Sequence, residues 1–255
     1  MRLKDCIRAA LLDFPVALVL LTRLPLPTLP ERAFDRQARA AWAFPLVGLV
    51  IGAVAGGVGL GFLALGLPAV VVAGLVLGAQ AVLTGALHED GLADTADGFW
   101  GGQTRDRRLD IMKDSAIGSY GVLALVLSLG LRWSALAFLL PSGVLPVLAA
   151  AVLSRACLPV LMAALPHART GGLSHSVGRP AAGVAALSMI LGLALGWAVL
   201  GLAIVTPALC AAASVAALGV LARRKIGGQT GDVLGAAQQL AECTILLTLV
   251  AGVPG

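Results

Sequence analysis

Between Arg39 and His88 the chain carries no ionisable side chain at all, and Gly66-Leu67-Pro68 marks a turn near the middle of that run. Some 20 consecutive apolar residues are enough to cross a hydrocarbon core of about 30 Å as an α-helix. The run therefore reads as a helical hairpin in a bilayer, residues 43–66 and 68–87. The pattern recurs at 117–140, 145–165, 181–205, 207–222 and 233–253, with turns expected at Pro141–Pro146 and Thr206-Pro207. Composition agrees: 59% of the 255 residues are hydrophobic and 12% charged, about half the charged share of a soluble domain. The expected fold is all-α, a multi-pass membrane bundle of about seven spans in one domain over residues 1–255.

Residues 1–42 differ from the rest. Their apolar stretch, Phe14–Leu21, is too short to span and ends at Arg23-Leu24-Pro25-Leu26-Pro27, so it reads as an interfacial or re-entrant helix ahead of the 43–255 bundle. Arg2, Lys4 and Arg8 precede it as in a signal peptide. Asp13 and Pro15 interrupt it, however, and no small-residue cleavage site follows, so it is expected to be retained. Cys6, Cys157, Cys210 and Cys243 form no paired motif and read as small core residues.

Apart from Arg132 and Arg155, every one of the 18 basic residues falls before residue 43 or in the segments 88–116, 166–180 and 223–225. With the spans above, all of these lie on one side. The positive-inside rule makes that side cytoplasmic. The net charge of +5 then needs no nucleic acid; the partners are the lipid bilayer and small-molecule substrates, with a homo-oligomer left open. Gly48, Gly52 and Gly56, and Gly192 and Gly196, form small-residue ridges suited to close helix approach.

On that same side lies His88-Glu89-Asp90-Gly91-Leu92-Ala93-Asp94-Thr95-Ala96-Asp97-Gly98. At about 100° per residue a helix brings Asp90, Asp94 and Asp97 onto one face, with Glu89 beside them. Two carboxylates about 5 Å apart repel by roughly 3 kcal/mol at an effective dielectric of about 20. A divalent cation relieves this, and an all-oxygen donor set suits Mg²⁺, or Mn²⁺ in its place. A merely solvated acidic helix end needs neither the i, i+4, i+7 alignment nor the interleaved small residues. Arg107, Arg108 and Lys113 follow as candidates to hold a polyphosphate, and Lys113-Asp114-Ser115 could order the site by a charge pair. A second polar cluster, Arg223 to Asp232, offers Lys225, Gln229 and Asp232; Asp232 reads equally as a metal or substrate ligand and as a helix N-cap. His88 could orient a ligand. Glu242, deep in the last span, needs a partner, either Arg155 or Arg132. No residue is assigned chemistry in the loop 167–179.

The acidic stretch, together with Ile111-Met112-Lys113-Asp114-Ser115 and Ile117-Gly118-x-Tyr120-Gly121, resembles the cobalamin synthase family of adenosylcobinamide-GDP ribazoletransferases. Thr22-Arg23-Leu24-Pro25, Phe44-Pro45-Leu46-Val47-Gly48 and Gly228 to Ala236 match its pattern as well. The resemblance implies a Mg²⁺-dependent enzyme that joins adenosylcobinamide-GDP to α-ribazole or its 5′-phosphate and releases GMP. It would form adenosylcobalamin or its 5′-phosphate, the last stage of cobalamin biosynthesis, at a bacterial inner membrane. Under it, Glu89, Asp90, Asp94 and Asp97, with Asp232, are the metal ligands. Asp97, Asp94 and Lys113 are the catalytic residues, Asp97 taking the proton of the ribazole 5′-hydroxyl. Arg107, Arg108, Lys113, Asp114, His88, Lys225 and Gln229 bind substrate. The acidic spacing is also similar to that of CDP-alcohol phosphotransferases, but Leu92-Ala93-Asp94 lacks their Ala-Arg pair. A cation-coupled transporter is the contrasting reading; acids gathered at one membrane face, and not at mid-depth, argue against it.

Overall fold

A computed structural model describes residues 3–253, with side chains from residue 11 onward. Arg2 lies outside the described residues, as do the side chains of Lys4, Cys6 and Arg8. The chain forms α1 (Leu3–Leu21), α2 (Glu31–Phe34), α3 (Gln37–Ala40), α4 (Phe44–Ala64), α5 (Ala69–Thr84), α6 (Leu87–Gly101) and α7 (Arg105–Ile111). It continues through α8 (Ser119–Leu139), α9 (Leu145–Ala164), α10 (Leu173–Val177), α11 (Ala182–Leu200), α12 (Val205–Ile226) and α13 (Gly231–Ala251). There is no β-strand among the described residues, only an isolated bridge between His167 and Gln229.

Five helical runs are long and apolar enough to cross a membrane, or six if the bent pair α5–α6 counts as one span. One run, Ala182–Ile226, is 45 residues long, far more than a bilayer needs. It doubles back. A Cβ on Gly196 would sit 3.0 Å from Ile204, a contact that eight residues of straight helix rule out. Gly201, at φ +59°, makes the reversal and a 3₁₀ turn, Gly201–Ile204, follows. The turn expected at Thr206-Pro207 is thus displaced. Pro207 lies in the first turn of α12, where its missing N–H costs nothing.

The most buried helix is α9, 78% of whose apolar window is covered. Glycines let its neighbours in. A Cβ on Gly52 of α4 would lie 2.9 Å from the Leu148 Cα, and side chains at Gly48 and Gly192 would collide with Ala151 and Ala156. These are the ridges read from sequence, and both close on α9. On α8 the apolar residues Leu123, Val126, Leu127 and Phe138 point outward while Arg132 points inward. That inversion suits a helix facing lipid. The apolar part of α1, Leu11–Leu21, is too short to span and buries Val16, Ala17, Leu18 and Leu21 against the bundle.

The decisive local feature is the break between α5 and α6. Gly85 (φ +64°) and Ala86 (φ +55°) both adopt left-handed backbone, and the Ala86 N–H returns to the Ala81 carbonyl at 2.8 Å, a Schellman-type stop. The N-terminal segment clamps the bend: the Arg23 N–H donates to the Leu83 carbonyl at 2.7 Å. After it α6 turns by 89°, so the acidic stretch leaves the line of the α5 span.

Candidate active site

Helix α6 crosses α13 at a contact between glycine backbones. A Cβ on Gly91 would lie 2.7 Å from the Asp232 carbonyl and 3.0 Å from Gly235 Cα, and one on Gly235 would lie 3.1 Å from Gly91 Cα. This close crossing brings Asp232, 142 positions along the chain from Asp90, beside the acids of α6. Thr230, and not Asp232, is the N-cap of α13, accepting from the Val233 N–H at 3.3 Å. The Asp232 carboxylate is therefore available, and it pairs with Arg169 at 3.2 Å. Burial, followed by the charges of Asp90, Asp232 and Asp97, pushes the Asp94 carboxyl up to about 7. Such crowding calls for a cation.

Two clefts meet at Asp90. One is polar, lined by Glu89, Asp90, Asp94, Lys113, Asp114 and Ser115. The other is mostly apolar and reaches inward past His88, Arg169 and Asp232. The sequence candidates Glu89, Asp90, Asp94, Lys113 and Asp114 thus share one cleft, and His88, Asp90 and Asp232 share the other. Lys113 is exposed. Asp114 accepts from the Ala116 N–H at 3.1 Å, a short turn that leads into α8. The charge pair expected of Lys113 and Asp114 is not among the ion pairs of the described residues.

Other candidates have partners within the fold. Asp97 is a helix cap: its carboxylate accepts the Gly118 N–H at 2.7 Å and the Gly121 N–H at 2.9 Å, two free donors of the first turn of α8. With both oxygens engaged and the residue buried, it is badly placed to take a proton from substrate. Arg108 and Lys225, expected on substrate, serve helix ends. Arg108 donates to the Lys225 carbonyl at 3.1 Å, and Lys225 donates to the Phe99 carbonyl and lies 4.8 Å from the Trp100 ring centroid. Arg105, absent from the sequence candidates, donates to the carbonyls of Ile226 and Ala168. The last carbonyls of α6 and α12 lack partners within their own helices, and long cations supply them. Gln229 is buried, accepting from Ser174 at 2.7 Å and bridging backbone to Pro166 and Ala168. Arg107 is exposed on α7, and only its backbone N–H bonds, to the Thr104 hydroxyl.

Glu89 belongs to a different assembly. Its Oε1 accepts from Arg132 at 3.3 Å and Gln239 at 3.0 Å. Arg132 also pairs with Glu242 at 3.3 Å, and Glu242 with Arg155 at 3.6 Å. Gln238 donates to Glu242 and to Ser154. Two guanidiniums and two carboxylates thus make a charge-neutral quartet buried inside the bundle. Glu242 has both partners between which the sequence left the choice open. His88 is buried close by, its backbone against Gly235 of α13.

Sequence reasoning missed Arg169. It lies in the loop left without a role, and pairing with Asp232 is the only sign of it; nothing local in the sequence announces a contact across 63 positions.

Among the described residues no three histidine, cysteine, aspartate or glutamate side chains converge as a closed metal cage. The donors Asp90, Asp94 and Asp232 fit Mg²⁺ nonetheless, because that ion takes one or two carboxylates and fills its remaining positions with water and substrate phosphate.

Residues 13–250 match the family model described as cobalamin-5-phosphate synthase. The adenosylcobinamide-GDP ribazoletransferase of Bradyrhizobium diazoefficiens is 45% identical, over 97% of this chain and 96% of its own length. Its namesake in Azorhizobium caulinodans is 44% identical over 93% of this chain and 94% of its own. No solved structure matches the chain. With the helical membrane architecture, the acidic α6 and a match over nearly its whole length, the chain belongs to the cobalamin-5-phosphate synthase family of enzymes.

Proposed function

We propose that this enzyme transfers the cobinamide phosphate of adenosylcobinamide-GDP to α-ribazole 5′-phosphate or α-ribazole, with release of GMP, at the cytoplasmic face of a bacterial inner membrane. The observation that carries the reading is the meeting at Asp90 of two clefts, a polar one that it lines with Asp94 of α6 and an apolar one that it lines with Asp232 of α13. Bound there, Mg²⁺ would neutralise the diphosphate oxygens and ease departure of GMP. Asp90, Asp94 and Asp232 are the residues that would hold it.

The acceptor hydroxyl oxygen forms a new bond to the phosphorus that bears the cobinamide. The P–O bond to GMP breaks, and its electron pair leaves on the GMP oxygen. Asp94 replaces Asp97 as the carboxylate that faces the acceptor, because it is partly exposed and lines the cleft while both Asp97 oxygens are engaged by α8. The family's description names a 5-phosphate product. A nucleoside phosphorylated on O5′ has no 5′-hydroxyl, so the attacking group is a ring hydroxyl of the ribose and the expectation for the 5′-hydroxyl is revised. Lys113, exposed on the rim of the same cleft, offsets charge on the leaving nucleotide.

Cytoplasmic placement is supported by the basic residues Arg23, Arg105, Arg108, Arg169 and Lys225, all bonded or packed around the acid end of the bundle. The test is GMP release by the purified protein in detergent with both substrates and Mg²⁺. Release that needs both substrates and the metal is expected. No release from the wild-type protein, with uptake of a solute into sealed vesicles instead, would replace this reading with a transporter.

A further inference from the structure

The apolar cavity is not needed to hold a diphosphate. Its walls come from six helices and one loop, among them Leu20 of α1, Phe44 of α4, Leu158 and Met162 of α9, and Leu173 and Val177 of α10. Its volume is about 120 Å³, small beside the about 300–1,000 Å³ common for sites that take a whole drug-sized ligand, so it takes one part of a ligand and not the whole. Its few polar side chains are His88, Asp90, Arg169, Ser174 and Asp232, and Asp90 joins it to the catalytic cleft. Two of its buried polar atoms lack any partner: Nε2 of His88, a residue only 3% exposed, and Nη1 of Arg169. An orphaned imidazole nitrogen in a mostly apolar cavity costs free energy unless a ligand satisfies it.

We propose that this cavity seats the base of the acceptor nucleoside, with the ribose directed toward Asp90 and Asp232. The assignment rests on the transferase reading above and adds the division of labour between the clefts. A flat, mostly apolar heterocycle matches the walls, and its few polar atoms, with the ribose hydroxyls, give His88 and Arg169 their missing partners. A lipid acyl chain would fill the walls but satisfy neither group. The donor's diphosphate is left to the polar cleft with Lys113. Asp90 stands where the two clefts meet, so an acceptor and a donor entering from opposite sides are brought together at the acids. The loop 166–172 and α10 then form the wall that recognises the acceptor.

The experiment measures α-ribazole binding to the full chain in detergent without donor or Mg²⁺, by calorimetry or saturation-transfer NMR, alongside steady-state kinetics. Leu158→Trp and His88→Ala test the walls and the orphaned nitrogen. Leu173→Trp serves as a variant that folds, because Leu173 is 48% exposed. Each is expected to weaken α-ribazole binding and raise its KM at least tenfold while leaving the KM for adenosylcobinamide-GDP within twofold. Unchanged α-ribazole binding in folded Leu173→Trp and His88→Ala would overturn the assignment, as would a matching rise in the donor's KM. So would displacement of α-ribazole by a short-chain lipid that does not affect the donor. A wild-type protein that binds α-ribazole yet releases no GMP would instead count against the transferase reading and leave the cavity's ligand standing.

Discussion

Neutralising Glu242 by Glu242→Gln is the sharpest test of the buried quartet. The side chain is 2% exposed and faces Arg132 at 3.3 Å and Arg155 at 3.6 Å. At an effective dielectric of about 20, each charge pair near 4 Å is worth about 4 kcal/mol of attraction. Much of that is offset by the desolvation of all four groups, so the pairs are no large net source of stability. Removal of one charge is another matter. Glu89 would be left as counter-charge to two buried guanidiniums, and breaking a buried pair in this way costs about 3–5 kcal/mol. Against a total stability of about 5–15 kcal/mol, that is enough to lower expression and the thermal midpoint sharply. The assay is thermal or SDS unfolding in detergent, followed by tryptophan fluorescence, for Glu242→Gln, Arg155→Gln and the double variant. The double variant restores neutrality and is expected to lose at least 2 kcal/mol less than the sum of the singles. A single-variant cost under about 1 kcal/mol, or strict additivity, would refute the argument.

Three further outcomes follow from the site. Asp94→Asn removes a carboxylate from the crowd around Asp90 and Asp232, so the metal-free protein should melt at a higher temperature while GMP release falls at least 100-fold; paired melting and product assays read both. Asp97→Ala removes the cap of α8 and should cost about 1–2 kcal/mol, with faster amide exchange at Gly118 and Gly121 as the local readout. Ala86→Gly relieves a left-handed alanine and should leave stability unchanged or raise it by up to about 1 kcal/mol. Ala86→Val should destabilise by more than that and disturb the α5–α6 bend, in the same unfolding assay.

The helices were legible because lipid imposes a simple rule: apolar runs of the right length become helices, and charges collect where the chain leaves the membrane. The acids of α6 were legible because i, i+4 spacing on a helix is a local property. What could not be read was which carboxylates already have partners. Asp97 looks like Asp94 along the sequence, yet it meets the N-terminus of α8, and Glu89 meets Arg132. The same holds for the cations: Arg108 and Lys225 carry the charge a phosphate needs, and the carbonyls at nearby helix ends that bond them are not local in the sequence. Arg169 went unseen because its partner is set by the docking of its loop on Gln229, just before α13. The displaced turn has a local cause, since Gly201 accepts a positive φ and Pro207 is content inside a first helical turn.

The contact of Gly91 with Gly235 makes the enzyme vulnerable at a place that holds no chemistry. Even a methyl group at either position would wedge two backbones apart and carry Asp232 away from its companions. Loss of activity without loss of a single charged group is therefore the expected phenotype there, and a survey confined to acids and cations would overlook it.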